Sequence, residues 1–163
     1  MQRGTFVEIE HTADLGLELE GPSPDSILEA AQRGLTQLLF SELSGLEAET
    51  EREIAIAATG YPDLLKVWCE RLYRLLEEEG FVALTSRVRV AVAAGEGGDP
   101  VGDENRAPVV GCRAVVEGAL PPAERIAQAG ELKAVTYHQL AFAPCLPAGP
   151  GPPRWRARVI FDV

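Results

Sequence analysis

Residues 63–79, DLLKVWCERLYRLLEEE, give the strongest helical pattern in the chain. The apolar residues recur three and four positions apart, so they share one face of a helix: Leu64, Leu65, Trp68, Leu72, Leu75 and Leu76. Gly80 follows as a helix stop. Residues 51–59 before the helix have the pattern of a half-exposed strand, and residues 81–94 after it alternate as a second strand. We therefore expect a helix with a strand on either side.

The rest of the chain extends this mixed pattern in both directions. Strands are predicted at residues 5–9, 15–20, 109–117, 132–142 and 155–161, and a first helix begins near Ser23 and ends at about Phe40. Residues 109–117 should pair with 81–94 as a hairpin, across a Gly- and acid-rich loop at 95–108 that we expect to be mobile. This order predicts an α+β two-layer sandwich: a mostly antiparallel or mixed β-sheet with two α-helices packed on one face.

Length and composition limit the class of protein. With 163 residues, 46% of them hydrophobic, the chain should form one domain over residues 1–163. It has no run of about 18 apolar residues and no apolar leader, which predicts a soluble, cytoplasmic protein. The three cysteines are too far apart for a paired metal motif, and their odd number predicts free thiols rather than a disulfide framework: Cys69, Cys112 and Cys145.

The charge balance constrains the partners. A net charge of −10 argues against a protein that holds DNA or RNA by itself, because that affinity comes largely from neutralising phosphates. A basic protein partner or a metal ion suits such a surface better, although ordinary solubility explains many of the charges. Lys66 and Lys133 are the only lysines, which makes Lys133 conspicuous within a polar cluster.

Polar clusters at the two ends of the chain contain the groups best suited to chemistry. His11-Thr12-Ala13-Asp14 lies between the first two strands, and Asp162 with Val163 ends the last strand. If the ends meet in the fold, Asp14, Asp162 and the terminal carboxylate make an oxygen-only ligand set, which suits Ca²⁺ or Mg²⁺ rather than Zn²⁺. Alternatively, both aspartates simply cap or solvate the chain ends.

The cluster before the final strand, Lys133-Ala134-Val135-Thr136-Tyr137-His138, offers acid–base and phosphate-binding groups. Alternation along one strand would place Lys133 and Tyr137 on one face and His138 on the other, so the three would converge only at a bulge. Packing of Tyr137 and hydrogen bonding of His138 is the alternative, purely structural interpretation.

These motifs together resemble the archease family, whose pattern includes His-Thr-Ala-Asp, Lys-Ala-Val-Thr-Tyr-His and a final aspartate. The resemblance covers the whole chain and implies an activator of an RtcB-type RNA ligase in tRNA splicing and RNA repair, which promotes guanylylation of the ligase and multiple turnover. It implies a divalent cation, Ca²⁺ or Mg²⁺ with Mn²⁺ as a third option, at Asp14, Asp162 and Val163. RNA and GTP would be met only through the ligase, with no membrane or DNA partner. The residues expected to surround the metal or contact the partner are His11, Thr12, Lys133, Tyr137 and His138.

The sequence departs from this family at residues 118–130. Many members have a Gly-Glu pair and a histidine there, whereas this chain has Gly118-Ala119 and no histidine, and loop 95–108 is expected to be a lineage-specific elaboration. If the missing residues contact the ligase in relatives, this chain lacks those side chains. Two other functions stay open from the residues themselves: a metal-dependent phosphohydrolase or nuclease with His11 or His138 as acid–base, and a chaperone-like or RNA-binding adaptor.

Overall fold

The structure, a computed structural model, describes residues 3–11, 14–93, 108–146 and 149–163. Its helices are α1 Pro24–Leu39, α2 Tyr61–Glu79 and the short α3 Ala123–Ile126. Its strands are β1 Thr5–His11, β2 Asp14–Gly21, β3 Thr50–Thr59, β4 Val82–Val92, β5 Val109–Ala119, β6 Ala134–Val135, β7 Ala141–Cys145 and β8 Arg154–Asp162. Apart from Pro108, the predicted mobile loop at 95–108 lies outside the described residues.

The strands form two antiparallel sheets. The larger one, sheet A, has the order β1-β2-β8-β6, with β7 pairing along the same side of β8 as β6; sheet B has the order β3-β5-β4. Both long helices contact strands of both sheets and bury their apolar faces in a common core around Trp68, Phe81 and Phe161. The predicted α+β class, the antiparallel pairing and the two main helices are confirmed. The division into two sheets is a feature that the strand pattern does not reveal.

Local sequence determines where both long helices begin and end. Ser23 accepts a hydrogen bond from the backbone of Ser26, whose hydroxyl in turn accepts one from the Ser23 N–H, and Pro24 occupies the first turn of α1. Helix α2 ends at Gly80, which has a φ of 64° and so needs the left-handed conformation that glycine adopts without strain. The predicted end of α2 at Glu79 is therefore confirmed.

A polar seam joins α1 to the free edge of β4. We use this name for the side chains of Asp25, Glu29, Gln32 and Thr36, which lie along one side of the helix. The carboxylates of Asp25 and Glu29 accept hydrogen bonds from the backbone N–H groups of Val90 and Val88, and Gln32 and Thr36 donate to the Ala83 carbonyl. The seam satisfies backbone groups that an uncovered edge strand would expose.

The prediction of one continuous strand over residues 132–142 is wrong. The chain pairs with β8 as β6, leaves the ladder over residues 136–140, and pairs with β8 again as β7. Thr136 donates to the Ile160 carbonyl through both its N–H and its hydroxyl, and Gln139 then adopts a φ of 52° in a turn. The alternation predicted for Lys133, Tyr137 and His138 therefore does not apply.

Candidate metal site at the end of sheet A

Strand pairing brings the two ends of the chain together. In the antiparallel ladder of β2 and β8, Asp14 is the direct register partner of Asp162. The next residue on β8, Phe161, is buried in the core, so the two aspartates share the opposite, outward face. Directly opposed residues have Cβ atoms about 4.5–5.5 Å apart, which places two carboxylates within reach of one ion.

The electrostatics of this pair differ from those of the rows beside it. On the same face, Glu18 pairs with Arg158 and Glu20 with Arg154, so each glutamate has a cation as its neighbour. Within the described part of the chain, neither Asp14 nor Asp162 forms an ion pair. Like charges directly opposite one another destabilise a sheet, and a bound cation would offset that repulsion.

Val163 is the third residue of the predicted ligand set. Val163 follows Asp162 directly, and the residue is 38% exposed. Two aspartates and an α-carboxylate are hard oxygen donors of the kind that Ca²⁺ and Mg²⁺ prefer. Among the described residues, no three side chains of His, Cys, Asp or Glu form a metal-binding group.

An apolar row borders the carboxylates. Ile9, Gly16 and Ile160 follow one another across β1, β2 and β8 on the same outward face, and Ile160 is buried there. The Ile160 side chain lies over Gly16: a Cβ built on Gly16 would be 2.6 Å from Ile160 Cδ1. Gly16, two residues after Asp14, thus lets the isoleucine cover the sheet next to the aspartates.

The first motif reaches the same row through β1. His11 is the register partner of Asp14, which places its backbone beside the aspartate pair. Thr12 was predicted to belong to the same site, and it lies outside the described residues.

Lys133 is joined to the aspartate pair through the main chain. Its N–H donates to the Asp162 carbonyl with an N···O distance of 2.8 Å, and Ala134 is the register partner of Asp162. The Lys133 side chain is exposed. The Lys-Ala-Val-Thr-Tyr-His motif, the His-Thr-Ala-Asp motif and the terminal aspartate therefore meet at one end of sheet A.

Tyr137 and His138 lie in the turn after β6 rather than on the strand. Both are exposed; the His138 N–H donates to the Thr136 hydroxyl at 3.2 Å, and the Lys66 Nζ lies 4.8 Å from the centre of the Tyr137 ring. The turn begins after Thr136, which bonds to the Ile160 carbonyl, and Ile160 is two residues before Asp162 on β8. These two residues consequently form a neighbouring surface and do not join the carboxylate row.

Sequence reasoning missed the participation of helix α2 in this neighbouring surface. Lys66 forms an ion pair with Glu70 one turn along the helix, and that hydrogen bond is the main reason why the pKa of Lys66 is raised. The available signals were the scarcity of lysine and the i,i+4 spacing of the pair. Neither signal shows that the helix faces Tyr137.

These features define a small α+β protein of two antiparallel sheets, with an acidic edge built from both ends of the chain. Residues 6–163 match the model of the Archease protein family (MTH1598/TM1083), and the chain belongs to that family. It is similar to the protein archease of Methanopyrus kandleri, with 31% identity over 82% of this chain and 85% of the relative. It is also similar to that of Thermococcus gammatolerans, with 29% identity over 94% and 95%.

Two solved structures have the same fold. The solution structure of protein 1598 from Methanobacterium thermoautotrophicum matches with a TM-score of 0.65 and 22% identity over all of both chains. The crystal structure of a Thermotoga maritima protein, described as an archease and possible chaperone, matches with a TM-score of 0.55 and 22% identity over 95% of this chain and 94% of the other. In the described residues, no helix combines the length and apolar character needed to cross a membrane.

Proposed function

We propose that this chain is an accessory activator of an RtcB-type RNA ligase, promoting guanylylation of the ligase and multiple turnover in tRNA splicing or RNA repair. Membership of the Archease family supports the accessory role. The observation that carries the proposal further is the direct opposition of Asp14 and Asp162, with no ion-paired cation among the described residues. A structural aspartate pair of this kind would repel itself without contributing to the core.

Asp14, Asp162 and the Val163 carboxylate would hold a divalent cation, Ca²⁺ or Mg²⁺ with Mn²⁺ as a third option. The cation would supply positive charge close to a nucleotide phosphate during transfer. The strand ladder contributes the fixed spacing of the two carboxylates, and the Lys133 N–H holds the last strand in register through the Asp162 carbonyl. The exposed Lys133 side chain is then free to approach a phosphate or a partner carboxylate.

The overall charge suits a cationic docking partner. The net charge of −10 would steer this protein toward a basic surface, such as one that binds RNA and GTP on a ligase. In this arrangement RNA and nucleotide are held by the ligase, while the acidic end of sheet A approaches the reacting nucleotide.

The test is multiple-turnover RNA joining at limiting ligase, with parent protein, Asp14→Asn, Asp162→Asn and the matched control Glu18→Gln. The control removes one charge from the same face of β2, four residues from Asp14. We expect each asparagine variant to lose at least tenfold in stimulation while Glu18→Gln keeps it. Full stimulation by either asparagine variant, or equal loss in all three, would contradict the proposed role of the aspartate pair.

Metal binding can be measured without the ligase. Calcium or magnesium should raise the melting temperature of the parent and of Glu18→Gln, because an ion bound only by the folded state stabilises it. The same ions should have little effect on Asp162→Asn. RNA or nucleotide hydrolysis by this protein alone, dependent on added metal, would instead favour the enzymatic alternative.

A further inference from the structure

The outward face of sheet B has an arginine patch in an otherwise acidic protein. We use this name for Arg87, Arg89 and Arg113, which are all exposed. Arg89 and Arg113 are direct register partners across β4 and β5, and Arg87 is two residues from Arg89 on the same strand. Strand alternation therefore places all three on one face.

No ion pair among the described residues involves the patch, and the acidic side chain on the same face in the register row of Arg87 is the exposed Glu53 on β3, two strands away. The ion pairs of the described structure involve five cations outside the patch: Arg52, Lys66, Arg74, Arg154 and Arg158. Like charges directly opposite one another are unfavourable in a sheet, yet Arg89 faces Arg113 in a chain with 25 acidic and 15 basic residues. An external anion would compensate this repulsion.

The surface beside the arginines is open. Ala57 and Ala91 flank Gly111 in the next row, and with Ala55 they border a shallow depression of about 460 Å³ that also contacts Arg89 and Arg113. Short side chains leave room for a partner's backbone to approach the guanidinium groups. No aromatic side chain lies on this face of the described strands, so the surface offers no platform for stacking bases.

We propose that the arginine patch binds the phosphodiester backbone of RNA without reading its sequence. Guanidinium groups bind phosphate oxygens in a bidentate manner, and two arginines two residues apart on a strand are about 7 Å apart. The assignment of the anion as RNA rests on the proposed role in RNA ligation. The net charge of −10 weakens binding by the isolated chain, so the patch contributes a local contact to RNA that the ligase also holds.

The experiment measures fluorescence anisotropy of a labelled 20-nucleotide single-stranded RNA with this protein alone, between about 20 and 150 mM salt. The test variant is Arg89→Ala/Arg113→Ala. The control is Arg71→Ala/Arg74→Ala, which removes two exposed arginines from α2 and gives the same net charge. We expect about tenfold weaker binding and a salt slope smaller by about 1.4 for the test variant, because each phosphate contact on single strands contributes about 0.7.

Three results would overturn the proposal: no binding by the parent at the lowest salt, equal weakening by both variants, or tighter binding of poly-glutamate than of RNA at the patch. The last result would assign the surface to an acidic protein segment. Stimulation of the ligase by the same variants is measured separately. If the parent stimulates the ligase but its RNA binding does not depend on the two arginines, only this inference is wrong. If the parent binds RNA through the arginines but does not stimulate the ligase, the proposed function is wrong.

Discussion

Removing Gln32 and Thr36 together should destabilise the protein by more than the sum of the two single changes. Both side chains are buried and donate to the same acceptor, the Ala83 carbonyl, at 3.0 Å from Gln32 Nε2 and 2.7 Å from Thr36 Oγ1. This carbonyl lies on the edge of β4 that faces α1. Either donor alone keeps it satisfied, and only the double change leaves a buried acceptor without a side-chain partner.

The magnitudes follow from these contacts. Thr36→Val keeps the side-chain shape and removes the hydroxyl's donation to the Ala83 and Gln32 carbonyls and the bond that it accepts from Gln32 Nε2, a cost of about 1–2 kcal/mol. Gln32→Met keeps the length and helix propensity and removes the bonds to Ala83 and to the Thr36 hydroxyl together with the one from the Ser86 hydroxyl, a cost of about 1–2 kcal/mol. An orphaned buried carbonyl adds about 1–3 kcal/mol in the double variant. The bond between Gln32 and Thr36 is lost in either single variant and counts once in the double variant. We therefore expect a total loss of about 3–6 kcal/mol and a net coupling of about 1 kcal/mol.

Equilibrium urea unfolding of the parent, both single variants and the double variant gives the coupling directly. Gln37→Met is the matched control, since Gln37 is an exposed glutamine on the same helix and its replacement should change the free energy of unfolding by less than about 0.5 kcal/mol. Additivity of the two single changes within about 0.5 kcal/mol would refute the shared-acceptor argument. A double variant as stable as either single variant would refute it equally.

Further predictions concern the thiols and a crowded glycine. Burial raises the pKa of Cys69 to about 12 and that of Cys112 to about 11, so a thiol reagent should modify the half-buried Cys145 rapidly and the other two only on unfolding; equal rates for all three would contradict this. The unfolded chain releases the thiol protons of Cys69 and Cys112 from about pH 9, whereas the folded chain retains them. The free energy of unfolding should therefore fall as pH rises from 9 to 11, and it should fall less steeply in Cys69→Ala. Gly118→Ala should cost at least about 2 kcal/mol in urea unfolding, since its Cβ would lie 2.2 Å from the Val82 carbonyl, whereas Gly151→Ala meets open space and should change little.

Much of the fold could be predicted because its signals are local. The apolar face of α2, Gly80 at its end and the alternation of β4 each depend on residues close in the sequence, and all three match the structure. The interruption at residues 136–140 could not be predicted, because it depends on the bonds from Thr136 to a carbonyl on β8. The buried Gln32 was equally hidden, since glutamine is usually exposed and its partner on β4 is 51 residues away.

The candidate site was partly visible for a different reason. Asp14 and Asp162 are polar residues at the ends of apolar strands, which marked them in the sequence, and the pairing of β2 with β8 places them side by side. Their ability to bind a metal stays a prediction. The turn that separates Tyr137 and His138 from them depends on tertiary hydrogen bonds that no periodicity records.

The division into two sheets gives the net charge a different meaning from the one that composition suggests. Opposed carboxylates lie at the end of sheet A, and opposed arginines lie on the outward face of sheet B. The two groups are on separate sheets, so they do not neutralise each other through a shared ladder. Both arrangements place like charges opposite one another, and a ligand of opposite charge would relieve the repulsion at each of the two proposed sites. If both proposals hold, a chain of net charge −10 attracts a cation at one surface and a polyanion at another, and the contacts of α1 with both sheets fix the positions of the two surfaces.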